Sequence, residues 1–255
     1  MSFTVREFLE RVPRQRLAPG DVWFLNLPEV GGNHLPDVKA IRPVFVDAEI
    51  RAFAVSLAHW ADIGGAMPGS YVANAVDAWQ EGLRIPPLRL FSAAGVEREK
   101  LDLVLANVRG AAEREGDILA QMAATRAAEE RLLQIFALHG APTTRAAIAA
   151  IHDRAEAQMR AALAAVPDGV YEGEDWLDDD AAGGAPLAVR VRVTIRGDAA
   201  VFDFSATDDA ARGPVNTTPF IAAASVFYVV KALYGPDIQP SGGCYRPLQI
   251  ITRPG

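Results

Sequence analysis

Cysteine occurs once in the 255 residues, at Cys244, which excludes an intrachain disulfide framework and fits a reducing compartment. Histidine is nearly as scarce, with four copies. Long apolar runs are missing. The longest near the C-terminus, Phe220 to Leu233, is too short to span a bilayer and is broken by Lys231. Near the start, Arg6 and Glu7 stand where a signal peptide needs an apolar stretch, so the expected localisation is cytoplasmic, with no membrane partner. Excess positive charge is also absent. A net charge of -7 argues against a general nucleic-acid or anionic-membrane binder. No Gly-rich phosphate loop of the P-loop or dinucleotide type appears, so ATP has no obvious site on this chain.

What is present is an ordinary globular composition, half apolar, with material for one large domain or two smaller ones. The pattern divides into three blocks. Residues 1–95 are β-rich and broken by Gly and Pro. Asp21 to Asn26 and a run beginning at Pro43–Phe45 read as strands. Val46 to Ile50 reads as a hairpin connection into Ala52–Leu57, which ends at His59. Residues 96–168 read as an antiparallel helical hairpin. One helix carries Ile118, Met122, Leu132, Leu133 and Phe136 and stops at Gly140 and Pro142. The next is capped by Thr143 or Thr144 and carries Ile148, Ile151, Ala155, Met159 and Leu163. Residues 169–255 return to strands. Val189, Val191, Val193 and Ile195 alternate with polar residues, Gly197–Asp198 turns the chain, and Val201–Phe204 returns. A last helix is expected over Ala222–Leu233. The class is α+β, with mixed sheets flanking a central helical hairpin.

Two of the four histidines lie in the first block, each followed three residues later by an aspartate: His34 and Asp37, then His59 and Asp62. Both pairs sit in Gly- and Pro-framed segments. One helical turn over Gly31–Asp37 would face His34 and Asp37 the same way. A set of two imidazoles and one or two carboxylates suits manganese, iron or zinc. The plainer reading is a loop-capping His34 and a satisfied His59 at a sheet edge.

Other candidates read as structural. His139 sits at a helix C-terminus favoured by the dipole. His152 lies mid-helix beside the apolar stripe. The acidic run Glu172, Glu174, Asp175, Asp178–Asp180 reads as a solvated strand end and loop. Arg84 reads as a salt-bridge residue and Cys244 as a buried or bystander thiol.

The strings Pro19-Gly20-Asp21-Val22, Gly31-Gly32-Asn33-His34-Leu35-Pro36-Asp37, His59-Trp60-Ala61-Asp62-Ile63-Gly64-Gly65 and Glu81-Gly82-Leu83-Arg84-Ile85-Pro86-Pro87 closely resemble the hydantoinase B/oxoprolinase family. So do Glu174–Asp180, Arg212-Gly213-Pro214-Val215-Asn216 and Gly243-Cys244-Tyr245-Arg246-Pro247, in order along nearly the whole chain. The resemblance implies a subunit of an ATP-dependent hydrolase that opens a cyclic amide at a divalent metal. The metal ligands map onto His34, Asp37 and His59, and Asp62 becomes the candidate catalytic residue, as an orienter or proton carrier. The implied partner in a hetero-oligomer is a hydantoinase A-type ATPase subunit that handles the nucleotide. The same resemblance leaves open a ketone carboxylase subunit, with a ketone in place of the cyclic amide.

The departures concern length and the surroundings of the ligands. Family members are considerably longer, so the expectation is a fragment or a truncated product, for which a non-catalytic binding or assembly module is a further alternative. Asn26-Leu27-Pro28-Glu29 stands where the family has Asn-Asp-Pro-Tyr, Asn33 where it has Thr, and Trp60 where it has a second histidine. The three ligands are kept while the groups around them change.

Overall fold

The computed structural model describes residues 2–255 and divides into two compact units, Met1–Ala141 and Pro142–Gly255. The α+β class holds in both. Among the described residues no helix is long and apolar enough to cross a membrane.

The first unit runs α1 (Ser2–Arg11), β1 (Val22–Leu25), β2 (Asp37–Val46), β3 (Glu49–His59), α2 (Ala78–Glu81), β4 (Leu88–Ser92), β5 (Gly95–Val96), α3 (Arg98–Ala106) and α4 (Ala111–His139). Its strands form one antiparallel sheet in the order β3-β2-β1-β4-β5. One face of the sheet, with Val38, Ala40, Phe24 and Leu90, packs with Trp60, Leu101, Val104 and Ile118. The other, with Trp23, Leu25 and Ile41, packs with Phe8 of α1 and with Val12 just beyond that helix. Alternation along each strand supplies both apolar faces at once.

The β2–β3 hairpin turns at Asp47 and Ala48, both with positive φ (53° and 62°). Positive φ at both central residues is what a two-residue type I′ hairpin needs. The pairing then shifts by one residue. Phe45 faces Ile50, whereas Val44 faces Ala52, leaving Arg51 as the extra residue of a bulge. The bulge lets Ile50 share a face with Phe53 and Val55, which plain alternation forbids. β2 also begins earlier than the expected Pro43, at Asp37. Pro43 is tolerated because it lies beyond Lys39–Ile41, the stretch of β2 that pairs with β1.

In α4 the buried residues are Arg114, Ile118, Gln121, Thr125 and Phe136, while Leu133 of the expected stripe is exposed. Arg42 of β2 donates to Thr125 Oγ1 (3.3 Å) and Glu129 (3.1 Å), so part of the β2–α4 contact is polar.

The second unit opens with α5 (Ala141–Leu163), followed by β6 (Gly169–Leu177), β7 (Leu187–Arg196), β8 (Ala199–Asp203), α6 (Pro219–Tyr234) and β9 (Leu248–Ile251). Because α5 starts directly after Gly140, Thr143 and Thr144 fall inside its first turn and not at the expected capping position ahead of it. Its buried residues are Thr144, Ala155, Met159 and Leu163, whereas Ile148 and Ile151 of the expected stripe are exposed. The sheet order is β6-β7-β8-β9, with β8 and β9 parallel. α6 begins three residues before the expected Ala222, where Pro219 fits the first helical position after Thr218. Ala155, Met159 and Leu163 of α5 and Val226 and Val230 of α6 close over Ile195, Ala200 and Leu248 of the sheet.

The short 3-10 turn Gly242–Tyr245 presses onto α5 so closely that a Cβ on Gly243 would lie 1.9 Å from the His152 carbonyl oxygen. Arg246 ties the same turn to α5 through Asp153 (2.8 Å) and Glu156 (3.0 Å). Gly243→Ala must therefore part the turn from the helix. It is expected to destabilise the second unit by about 3 kcal/mol, read as an earlier thermal unfolding transition.

Candidate metal centre

His34 reaches the site on a loop fastened to α1. Gly31 turns the chain with φ 76°, and a side chain there would meet the Thr4 backbone nitrogen at 2.6 Å. Thr4 Oγ1 in turn donates to the Gly31 carbonyl (3.0 Å). The segment His34–Asp37 closes as a tight turn, with the Asp37 N–H donating to the His34 carbonyl (3.1 Å), and leads directly into β2. It is a reverse turn into a strand and not the expected helical turn, although it still brings the two side chains together. The Pro36 carbonyl accepts from both Val38 N (2.8 Å) and Trp60 N (2.9 Å), which ties the first residues of β2 to the end of β3. Asn26, fully buried, donates through Nδ2 to the Leu35 (2.7 Å) and Leu83 (2.8 Å) carbonyls and accepts from Ile85 N (2.7 Å). All its polar capacity toward the turn is used, so the turn is braced from beneath.

His59 comes from the far end of β3, where it pairs with Asp37 on the last rung of the hairpin. His59 Nδ1 lies 2.8 Å from Asp37 Oδ1, and His34 Nδ1 lies 3.9 Å from Asp37 Oδ2, beyond hydrogen-bond range. The two imidazole rings meet edge to face at 6.1 Å between centroids. One donor atom from each of His34, Asp37 and His59 lies within 4.8 Å of the other two. Two donors each about 2.1 Å from one ion stand roughly 3–4 Å apart, so the set fits a first-row divalent ion with small side-chain adjustments. His34 and His59 are 63% and 60% exposed and Asp37 is 23% exposed, so an ion has direct access from solvent.

Two side chains next to the site escaped the sequence reading. Lys39 is buried and donates through Nζ to the Asp37 carbonyl (3.1 Å). Burial pushes its ammonium below the usual lysine range, and the Asp37 charge opposes that shift. Gln121 of α4 accepts from Trp60 Nε1 (3.0 Å) and donates to the Val38 carbonyl (2.9 Å), with a longer contact to the Ser56 carbonyl (3.4 Å).

Asp62 stands outside the three-residue group. Its Oδ1 accepts from Gly64 N (2.7 Å) and Arg109 N (3.1 Å), and its Oδ2 from Gly69 N (2.9 Å) and Arg109 Nη1 (3.1 Å). Burial alone would raise its pKa, but the N–H donors of Gly64, Arg109 and Gly69 and the Arg109 guanidinium together hold it below the usual carboxylate range. Arg109, also unforeseen, donates onward to the carbonyls of Gly65 (2.9 Å) and Met67 (3.0 Å). Asp62 and Arg109 thus fix the loop that follows His59.

The remaining candidates fall into structural roles. His139 is exposed at the last position of α4. His152 is half-buried on α5, with its carbonyl against Gly243. Arg84 pairs with Glu29 (2.7 Å), and Cys244 is buried with its thiol against the Gln239 carbonyl. Within the acidic run, Glu172 and Glu174 pair across the β6–β7 ladder with Arg192 and Arg190. Asp180 departs from the solvated reading. It is buried and accepts from Gly184 N (2.7 Å), Ala182 N (2.9 Å) and Gly213 N (3.2 Å), with Gly184 the chief reason its pKa is lowered. Its spacing from Gly184 and Gly213 in sequence gives no sign of this.

Comparison with known proteins agrees with this architecture. Caprolactamase subunit beta of Pseudomonas jessenii is 38% identical over 184 residues, covering 72% of this chain and 32% of the relative. The crystal structure of ATP-dependent caprolactamase from Pseudomonas jessenii superposes with a TM-score of 0.90 at 29% identity, over 99% of this chain and 44% of that one. Nucleotide-free acetone carboxylase shares the fold, with a TM-score of 0.81 at 17% identity, over 96% of this chain and 34% of that one. The chain thus spans less than half the length of the relatives it matches. The profile of the hydantoinase B/oxoprolinase family matches residues 1–255, and the chain belongs to that family.

Proposed function

We propose that His34, Asp37 and His59 hold a divalent metal ion (manganese, iron or zinc), and that the chain serves in an ATP-dependent hydrolase that opens cyclic amides. The observation that carries the reading is the convergence of a loop, a strand start and a strand end on three donor atoms within 4.8 Å. Such an ion supplies Lewis acidity and activates water at neutral pH. Ring opening adds water across the amide C–N bond, and the released proton ends on the nitrogen. In this reading Asp37, whose Oδ1 lies 2.8 Å from His59 Nδ1, offers a carboxylate oxygen to the ion beside the two imidazoles, and the open side of the histidines receives the substrate. A hydantoinase A-type ATPase subunit handles ATP and activates the amide oxygen. The likeness in sequence to a caprolactamase subunit favours a cyclic amide over a ketone substrate.

Asp62 enters this reading as a positioning residue. An ionised carboxylate whose oxygens accept four N–H bonds is not a proton donor at neutral pH. It holds the loop of Gly64–Gly69 beside the ligand strand.

The metal assignment is tested by elemental analysis of the purified protein beside His34→Ala, Asp37→Ala and His59→Ala. The wild type is expected to carry close to one equivalent of one ion, and each variant to lose most of it. Less than about a tenth of an equivalent in the wild type, unchanged by the substitutions, would sink the assignment.

The Asp62 role predicts a loss of about 2–4 kcal/mol of stability in Asp62→Asn at pH 7. Because the folded pKa is lowered, the stabilisation is complete above about pH 5 and is lost as pH falls through the carboxylate range. Denaturant unfolding at stepped pH should show that acid-side loss in the wild type and a shallower one in Asp62→Asn.

A further inference from the structure

We infer that Gln121 is a positioning residue for the metal centre, acting through the backbone of the two strands that carry Asp37 and His59. The inference rests on the metal reading above. Val38 and Trp60 pack with Ile118 on the side covered by α4. Side chains alternate along a strand, so Asp37 and His59 point to the opposite face. Gln121 is therefore directed away from both ligands, and its two shorter hydrogen bonds fall on the residue directly after each one. Trp60 follows His59 and donates its indole N–H to Oε1, while Val38 follows Asp37 and accepts from Nε2.

The chemistry of the two partners dictates how the amide is oriented. An indole N–H can only donate and a carbonyl can only accept, so a single orientation satisfies both. Gln121 is 4% exposed and Trp60 is 1% exposed, so neither group has water as a substitute. The location explains why a clamp matters here. β3 is the edge strand of its sheet, and His59 is its last residue, paired on the final rung with Asp37. The end of an edge strand is where a sheet opens first. The Pro36 carbonyl holds that end in the plane of the sheet, and Gln121 holds it from the α4 side. Opening of this rung would separate His59 from Asp37.

Gln121→Met keeps the volume and removes the hydrogen bonds to Trp60 and Val38 together with the longer one to Ser56. Gln121→Glu keeps the acceptor for Trp60 but loses the donor to Val38. Arg42→Met, on the same β2–α4 contact but remote from the last rung, controls for loss of stability alone. The first readout is manganese(II) or cobalt(II) affinity by calorimetry on each folded protein. The second is solvent exchange of the Trp60 indole N–H by NMR without added metal. Gln121→Met is expected to bind about 10–100-fold more weakly and to speed indole exchange, with Gln121→Glu intermediate. Arg42→Met is expected to bind within about twofold of wild type while unfolding earlier. Wild-type affinity in Gln121→Met, or equal weakening in Arg42→Met, would overturn the positioning role and leave the metal reading standing. Absence of metal uptake by the wild type would overturn both. An indole N–H that exchanges freely in the wild type would overturn the clamp whatever the metal result.

Discussion

The register of the β2–β3 hairpin decides whether Asp37 and His59 meet at all. Counting back from the turn without interruption, Asp37 would face Ala58, and His59 would fall on the opposite side of the sheet. The extra residue Arg51 moves the pairing by one position, so that Asp37 faces His59. The same bulge keeps Ile50, Phe53 and Val55 together against the α1 side of the core. The register that buries the apolar residues is therefore the one that places Asp37 opposite His59. The apolar residues supply most of the energy that fixes it, and the exposed candidate ligands inherit the result.

Around this rung the supports are polar and buried, while the candidate ligands they hold are exposed. Asn26, Gln121 and Asp62 each have their hydrogen-bonding capacity filled mainly by backbone groups. Buried polar groups of this kind add little net stability over apolar ones but penalise every alternative arrangement. That asymmetry suits a site built on a turn and two strand ends, where backbone pairing alone is weakest. It gives a solvent-facing group of side chains a fixed frame.

Much of this was legible from the amino-acid sequence, and the exceptions share a physical cause. The strand ending at His59, the hairpin at Val46–Ile50, the pair of strands around Gly197 and the chain stop at Gly140 all follow from local periodicity and turn chemistry. The start of β2 at Asp37 did not, because Pro36 and Pro43 read as breakers until the extent of the neighbouring strand is known. Nor did the inward faces of Gln121, Thr125 and Arg114, since polar residues on a helix read as solvent-facing unless a partner is visible. The partners of Gln121 lie far away in sequence, at Val38 and Trp60. Long-range hydrogen bonds leave no local mark. Asp62 was noticed through its spacing from His59, yet its role depends on Arg109, which spacing cannot reveal.

The exposure of the candidate ligands also bears on how the proposed centre would work. With both imidazoles more than half exposed, the donors lie at a boundary with water, where charge interactions are weakened by the solvent. Activating an amide at that boundary competes with loss of the activated species to bulk water. A surface laid over His34 and His59 would remove that competition while leaving Gln121, Asn26 and Asp62 undisturbed beneath. The division of labour in the proposed assembly follows from this arrangement. The chain contributes a rigid donor set, and the exclusion of water falls to whatever covers its open side.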